Sequence, residues 1–183
     1  TDNAIKSKKA INGEWFISDT RFGPMSHAKL GVAEENSGRL VTLVRDKAAL
    51  LAGKGNSDAI MDGAPGTGCP VISSISGAYF ALAVTEPTVS GIHDLERVLQ
   101  VIKHFGVKSG VVVNKYDLNK DLTQKIVRMA EKYDSDFLGT IPYGKDVTEA
   151  QMKKLSVVEY TSSPLTESIK EIWRKIKQEL RID

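Results

Sequence analysis

Apolar residues along this chain recur in two rhythms. Ile92, Leu95, Val98, Leu99, Ile102 and Phe105 return every three or four positions, the period of one helix face, and Gly106 supplies a stop. Leu122, Ile126, Met129, Ala130 and Tyr133 repeat the pattern. So do Leu165, Ile169, Ile172, Trp173, Ile176 and Leu180, behind a Pro164 placed in a first turn where its missing N–H is harmless. The second rhythm is a short unbroken apolar run. Tyr79 to Val84 suits a strand buried on both faces, Gly110-Val111-Val112-Val113 another buried strand, and Phe137 to Ile141 a strand ending at Pro142. Upstream, Ala59-Ile60-Met61 predicts a short strand within 58–62, and Val71, Ile72 and Ile75 a short helix. Leu40, Leu43, Val44, Ala48 and Leu51 predict a longer helix, capped by Ser37 and stopped by Gly53 and Gly55. Before it, Trp15-Phe16-Ile17 and the segment from His27 to Val32 predict two strands around a turn at Gly23-Pro24.

Strands alternating with helices predict an α/β fold, a mostly parallel sheet flanked by helices. Such sheets bind ligands beyond the C-terminal ends of their strands. Chemistry is therefore expected in the loops after Met61, Val84, Val113 and Ile141.

Composition narrows the classes. The 183 residues are 41% hydrophobic and 26% charged, which suits a globular domain able to bury a core. Lys plus Arg total 25 against 23 Asp plus Glu, a balance that points neither to nucleic acid nor to an acidic tail. No apolar run approaches the ~20 residues that span a bilayer. A single cysteine, Cys69, excludes a disulfide framework or a multi-cysteine metal site within these residues, and a cytoplasmic setting is the expectation. Cys69 has no nearby histidine and is expected to pack behind its loop. His27, His93 and His104 have no metal-ligand spacing, and no G-x-S-x-G element is present.

The loops carry more. Asp62-Gly63-Ala64-Pro65-Gly66-Thr67-Gly68 puts a carboxylate at the end of an apolar stretch, where it serves either as a helix cap or as a water-mediated holder of Mg²⁺. Glycines there let the backbone approach an anion closely. Thr88 or Ser90 caps the following helix, whose N-terminus also suits an anion. Asn114-Lys115-Tyr116-Asp117 is an N-K-x-D arrangement placed directly after a buried strand. The Asn amide donates and accepts in a base plane, and the Lys stem lies along a base or braces a neighbouring loop. The Asp carboxylate is able to accept two hydrogen bonds from a guanine edge. Pro142 and Tyr143 offer flat apolar surface to a base, or form an ordinary strand exit. A phosphate-cradling G-x-x-x-x-G-K-[ST] loop is missing from these residues. Gly53-Lys54-Gly55 is a decoy, with Ala48 where the first Gly belongs, Gly55 where Ser or Thr belongs, and a helix in place of the preceding strand.

Taken together, Glu35-Asn36-Ser37-Gly38-Arg39-Leu40-Val41, Asp62 to Pro70, Val84-Thr85-Glu86-Pro87-Thr88, Val113 to Asp117 and Ile141-Pro142-Tyr143 resemble the MinD/ParA/Mrp branch of P-loop ATPases. The resemblance runs from about Gly23 to the C-terminus and is closest to the MinD-like ATPases with an inserted ferredoxin domain. Chains of this kind are often labelled cobyrinic acid a,c-diamide synthase (CobQ/CbiA), whose ATP-binding domain shares the fold. The resemblance implies a SIMIBI/MinD-like P-loop NTPase fold lacking its P-loop strand, because the chain looks like the part that follows the ferredoxin insert. Residues 1–35 would be a linker and β-hairpin region, and 36–183 the C-terminal part of the nucleotide-binding α/β domain. The implied cofactors are ATP and Mg²⁺, with [4Fe–4S] clusters only in the upstream ferredoxin part. Asp62 would be the Mg²⁺-side acid and Gly66 a γ-phosphate sensor. Asn114 would contact the base, with Lys115 and Asp117 in the same loop and Pro142 and Tyr143 flanking it. Asp117 gives the motif a GTPase look, so ATP and GTP both stay open. The implied partners are nucleotide, a second copy in a homodimer and an iron–sulfur or redox client, with no nucleic acid and no membrane span. The expected function is the ATP-binding part of a protein coupling ATP to iron–sulfur or redox chemistry, inactive as an ATPase by itself. A non-catalytic interaction module and an ATP-dependent amidoligase of the cobyrinate type are the alternatives.

Overall fold

The computed structural model describes residues 13–31, 38–55 and 57–180. The chain forms two compact units, Thr1–Ser74 and Ile75–Asp183.

In the first unit, β1 (Gly13–Thr20) and β2 (Gly23–Leu30) form an antiparallel hairpin. Its loop is Arg21-Phe22 and not the expected Gly23-Pro24. Thr20 and Gly23 are the last paired residues, and Pro24 lies in register opposite Asp19. A two-stranded ribbon has outer edges where a missing N–H costs no ladder bond, so proline is accommodated within the strand. The Thr20 hydroxyl fastens the loop, accepting from the Phe22 N–H at 3.1 Å and donating to the Gly23 carbonyl at 2.7 Å. Helix α1 (Gly38–Gly55) packs on β2 and ends at the predicted glycines. Its expected Ser37 cap lies outside the described residues. The predicted strand Ala59-Ile60-Met61 is not a strand. The stretch 57–64 has no regular structure, and Ile60 is 85% exposed. Alternating apolar character makes a strand only where a ladder partner exists, and no described strand pairs with this stretch. Helix α2 (Cys69–Ile75) forms as predicted, but Cys69 stands exposed on its first turn and does not pack behind the loop.

The second unit is built on a parallel sheet of β3 (Phe80–Thr85), β4 (Lys108–Asn114) and β5 (Asp136–Ile141), in that order. The connections are α3 (Val89–His104) and α4 (Lys120–Lys132). After β5 come α5 (Asp146–Met152), α6 (Val157–Tyr160) and α7 (Pro164–Leu180). β4 is the centre. Val111, Val112 and Val113 are at most 1% exposed, as an unbroken apolar run predicts. Val112 packs with Leu138 and with Ile172 and Ile176 of α7. The pleat turns Val111 and Val113 to the opposite face, where α3 and α4 pack on the strands and bury Leu95, Leu99, Ile102, Ile126 and Ala130. Trp173, counted above with the apolar face of α7, is instead 44% exposed.

β3 departs from expectation. It pairs only with β4, and although Ala83 is buried, Leu82 and Val84 are 43% and 59% exposed. Among the described residues, one edge of this strand is unpaired, and beyond Phe80, which packs against the core, the face carrying Leu82 and Val84 is open.

β5 carries a bulge. Phe137 lies opposite Val111 but Gly139 lies opposite Val112, so Leu138 is the extra residue. Gly139 takes φ +151°, and a Cβ there would come within 3.2 Å of Ile172. The Leu138 carbonyl accepts from the Lys175 ammonium at 2.8 Å, which satisfies a strand oxygen beside the irregularity.

Between α3 and α4, Glu96 accepts from the Lys132 ammonium and the Tyr133 hydroxyl, both at 2.9 Å. The Lys132 and Tyr133 hydrogen bonds, then the Lys132 charge, hold its carboxyl below the usual glutamate range. The stabilisation is therefore present above the unfolded-state value and is lost as pH falls through the lower folded value. Wild type is expected to have a higher urea midpoint than Glu96→Gln at pH 7, with the difference closing below about pH 4. An equal difference at pH 7 and pH 3 would contradict this.

Candidate functional site

Three strands of the second unit release their chains along one edge, at Thr85, Asn114 and Ile141. Thr85 lies opposite Val113, and Asn114 opposite Ile141. The loops that follow are neighbours because the register makes them so.

The first loop, from Glu86 to Thr88, is fixed by the start of α3. Thr88 is the N-cap, and its hydroxyl accepts from the Gly91 N–H at 2.9 Å. The Thr85 hydroxyl donates to the Gly91 carbonyl at 3.1 Å. Thr88, not Ser90, therefore fills the predicted capping role. A Cβ on Gly91 would stand 2.5 Å from the Glu86 carbonyl oxygen, so the loop and the helix touch backbone to backbone.

The second loop is the N-K-x-D segment. Asn114 ends β4 half-buried, and among the described residues its amide makes no hydrogen bond. Lys115 adopts φ 53° and ψ 44°, the left-handed region that non-glycine residues enter rarely. This turns the chain out of the sheet into a single 3₁₀ turn, Tyr116–Leu118. The Lys115 ammonium lies 2.7 Å from Glu86, and that hydrogen bond, then the charge itself, raises its pKa above the ordinary lysine value. Asn119 caps α4, and Thr123 donates to the Tyr116 carbonyl at 3.0 Å.

The third loop begins at Pro142, which is half-buried, and Tyr143, whose side chain is 57% exposed. The Tyr143 N–H donates to Asp117 Oδ1 at 2.8 Å. The structure thus gathers Asn114, Lys115, Asp117, Pro142 and Tyr143 at one sheet edge. It also adds Glu86 and Gly91, which sequence reading left without a role. Glu86 becomes visible only once the β3–β4 register sets it level with the N-K-x-D turn.

Asp62 and Gly66 lie in the first unit. Asp62 is exposed and makes no hydrogen bond among the described residues. It borders an open groove of ≈ 340 Å³, with Leu30, Leu40, Val44, Arg45 and Pro65 among its walls. Gly66 takes φ +89°, a conformation that favours glycine, and a Cβ there would meet nothing within 4 Å. No group of three or more His, Cys, Asp or Glu residues able to hold a metal occurs among the described residues. A single carboxylate still suits Mg²⁺ when phosphate oxygens and waters complete its shell. No described helix is long and apolar enough to cross a membrane.

A parallel sheet flanked by helices, with its loops gathered along one edge, defines an α/β domain. Residues 16–157 match the CobQ/CobB/MinD/ParA nucleotide binding domain, and the chain belongs to that family. Its fold is similar to the MinD cell division protein of Aquifex aeolicus (TM-score 0.63, 18% identity, 88% of this chain and 68% of that one). It is also similar to the septum site-determining protein MinD of Pyrococcus horikoshii, solved with Mg-ADP (TM-score 0.62, 20% identity, 79% and 58%). Among curated proteins, the uncharacterized protein MJ0578 of Methanocaldococcus jannaschii is 29% identical over 155 residues, covering 85% of this chain and 51% of its own. MJ0579 of the same organism is 28% identical over 156 residues, covering 85% and 49%. The chain spans about half the length of these curated relatives.

Proposed function

We propose that this chain is the adenine-nucleotide-binding part of a MinD/ParA-type ATPase that couples ATP to iron–sulfur or redox work. The observation that carries the reading is the convergence of Asn114, the Lys115–Glu86 pair and the Asp117–Tyr143 contact at the C-terminal edge of β3, β4 and β5. A half-buried, uncommitted amide flanked by a proline and an exposed aromatic ring suits a flat heterocycle with hydrogen-bonding edges. The Mg-ADP bound to the P. horikoshii neighbour supports adenine as that heterocycle. Asp62 would hold Mg²⁺ through water, and the Gly66 N–H would face the γ-phosphate. Mg²⁺ would supply charge neutralisation at the β- and γ-phosphates.

Phosphoryl transfer also needs a lysine and a glycine-rich cradle for those phosphates. The open edge of β3 among the described residues supports a domain completed by a further strand, and the proposal places that strand upstream with the P-loop and a ferredoxin insert. The 183-residue chain by itself is then expected to hydrolyse ATP no faster than background. The full protein from its native locus is expected to bind Mg²⁺-ATP, and Asn114→Ala to weaken that binding about tenfold or more. Robust turnover by the chain alone, or unchanged binding in Asn114→Ala, would overturn the assignment. A second reading, a non-catalytic interaction module, is favoured by the exposed Leu82 and Val84 of β3. It predicts no binding of ATP or GTP even with the upstream part present.

A further inference from the structure

An N-K-x-D loop that reads guanine presents both oxygens of its aspartate to the base, one for the ring N–H and one for the exocyclic amine. Here one oxygen of that pair is already engaged. Asp117 Oδ1 receives the main-chain N–H of Tyr143 at 2.8 Å, from the loop that leaves the neighbouring strand. The carboxylate is exposed, so no burial forces the contact. Two features set it in place. The left-handed turn at Lys115 swings the following residues toward the exit of β5. The β5 bulge brings Ile141 level with Asn114, so that Tyr143 falls two residues past the sheet edge.

Lys115 is committed in the opposite direction, to Glu86 at the exit of β3. The two charged residues of the motif thus tie the central loop to the loop on either side. The Asn114 amide, unlike the side chains of Lys115 and Asp117, makes no internal hydrogen bond among the described residues.

We propose that Asp117 is a positioning residue, holding the Pro142-Tyr143 segment against the base site through the Tyr143 N–H, and not a reader of guanine. The proposal rests on the nucleotide-binding reading above and assigns the base edge to Asn114. With Oδ1 held by the Tyr143 N–H, the carboxylate is oriented by the neighbouring loop and not by a base edge, and one of its roughly four acceptor sites is taken. A carboxylate turned to this task is expected to leave the site with a preference for adenine over guanine, despite the sequence of its motif.

Asp117→Asn separates the two roles. A carboxamide oxygen still accepts the Tyr143 N–H, so a clamp survives the change. A guanine reader does not survive it: its new amide donor favours xanthine, whose C2 oxygen accepts where the guanine amine donates. The experiment uses the full protein, Mg²⁺ and three probes: ATP, GTP and xanthosine triphosphate. Titration calorimetry gives the affinities, and amide hydrogen exchange at Tyr143 reports the clamp. In wild type, ATP is expected to bind at least about tenfold tighter than GTP. Asp117→Asn should keep ATP affinity within about threefold and gain no xanthosine triphosphate binding, while Asp117→Ala should weaken ATP about three- to tenfold. Tyr143 should exchange faster in Asp117→Ala and return toward wild type in Asp117→Asn. Xanthosine triphosphate binding gained by Asp117→Asn, or Tyr143 exchange unchanged in Asp117→Ala, overturns the proposal. Wild type that binds none of the three probes overturns the nucleotide reading instead, and Tyr143 exchange then still decides whether Asp117 is a clamp.

Discussion

Gly91→Ala is expected to loosen the domain and the base site together. The added methyl would stand 2.5 Å from the Glu86 carbonyl oxygen and 3.0 Å from the hydroxyl oxygens of Thr85 and Thr88. Alanine gains about 1 kcal/mol over glycine in a helix interior. Overpacking costs about 1–3 kcal/mol, and the closest atom here is main chain, which has no rotamer through which to escape. The clash therefore wins. Relief comes only by moving the Glu86–Thr88 loop, which carries the carboxylate that holds Lys115. Two readouts should shift: the urea midpoint falls, and ATP binding by the full protein weakens by more than the unfolded fraction explains. A variant as stable as wild type with unchanged ATP affinity would show that this loop yields without consequence.

Leu99→Ala should have the larger effect on stability alone. Leu99 is 1% exposed on the face of α3 that meets the sheet and α4. Removing a leucine side chain from such a site costs about 2–5 kcal/mol, part lost transfer energy and part cavity. For a chain of this size that is a fall in Tm of about 4–20 °C. Thermal unfolding followed by circular dichroism checks it. A loss under about 1 kcal/mol would mean that the helices collapse into the space, which is uncommon in close-packed interiors.

What the sequence disclosed follows how densely each signal is written. α3, α4 and α7 are long, and each repeats its apolar period over several turns, so they were legible. β4 was legible because three valines in a row fit the inside of a parallel sheet. α5 and α6 were missed because seven and four residues hold too few turns for a period. One signal was available: Ser156 and Glu159 form a capping box, visible as S-x-x-E. β3 was misread because apolar composition records what a strand is suited to touch, not what touches it among the described residues. At the site, the N-K-x-D residues were legible as a motif and their partners were not. Glu86 meets Lys115 across 29 positions of sequence, and Tyr143 meets Asp117 across 26. Only the strand register brings such residues together.

The bulge at Leu138 acts as a ruler for that register. Residues after it sit one step back along β4 from where an uninterrupted strand would carry them. Deleting the extra residue Leu138 would remove the bulge and leave Ile141 opposite Asn114, whereas pairing Leu138 with Val112, as an uninterrupted strand would, slides the strand exit by one rise, about 3.3 Å, and carries the Tyr143 amide away from Asp117. The reach of the loop after β5 is thus metered inside the sheet, several residues before the loop begins. A change of register in β5 would be felt at the Asp117–Tyr143 contact even though neither residue had been replaced.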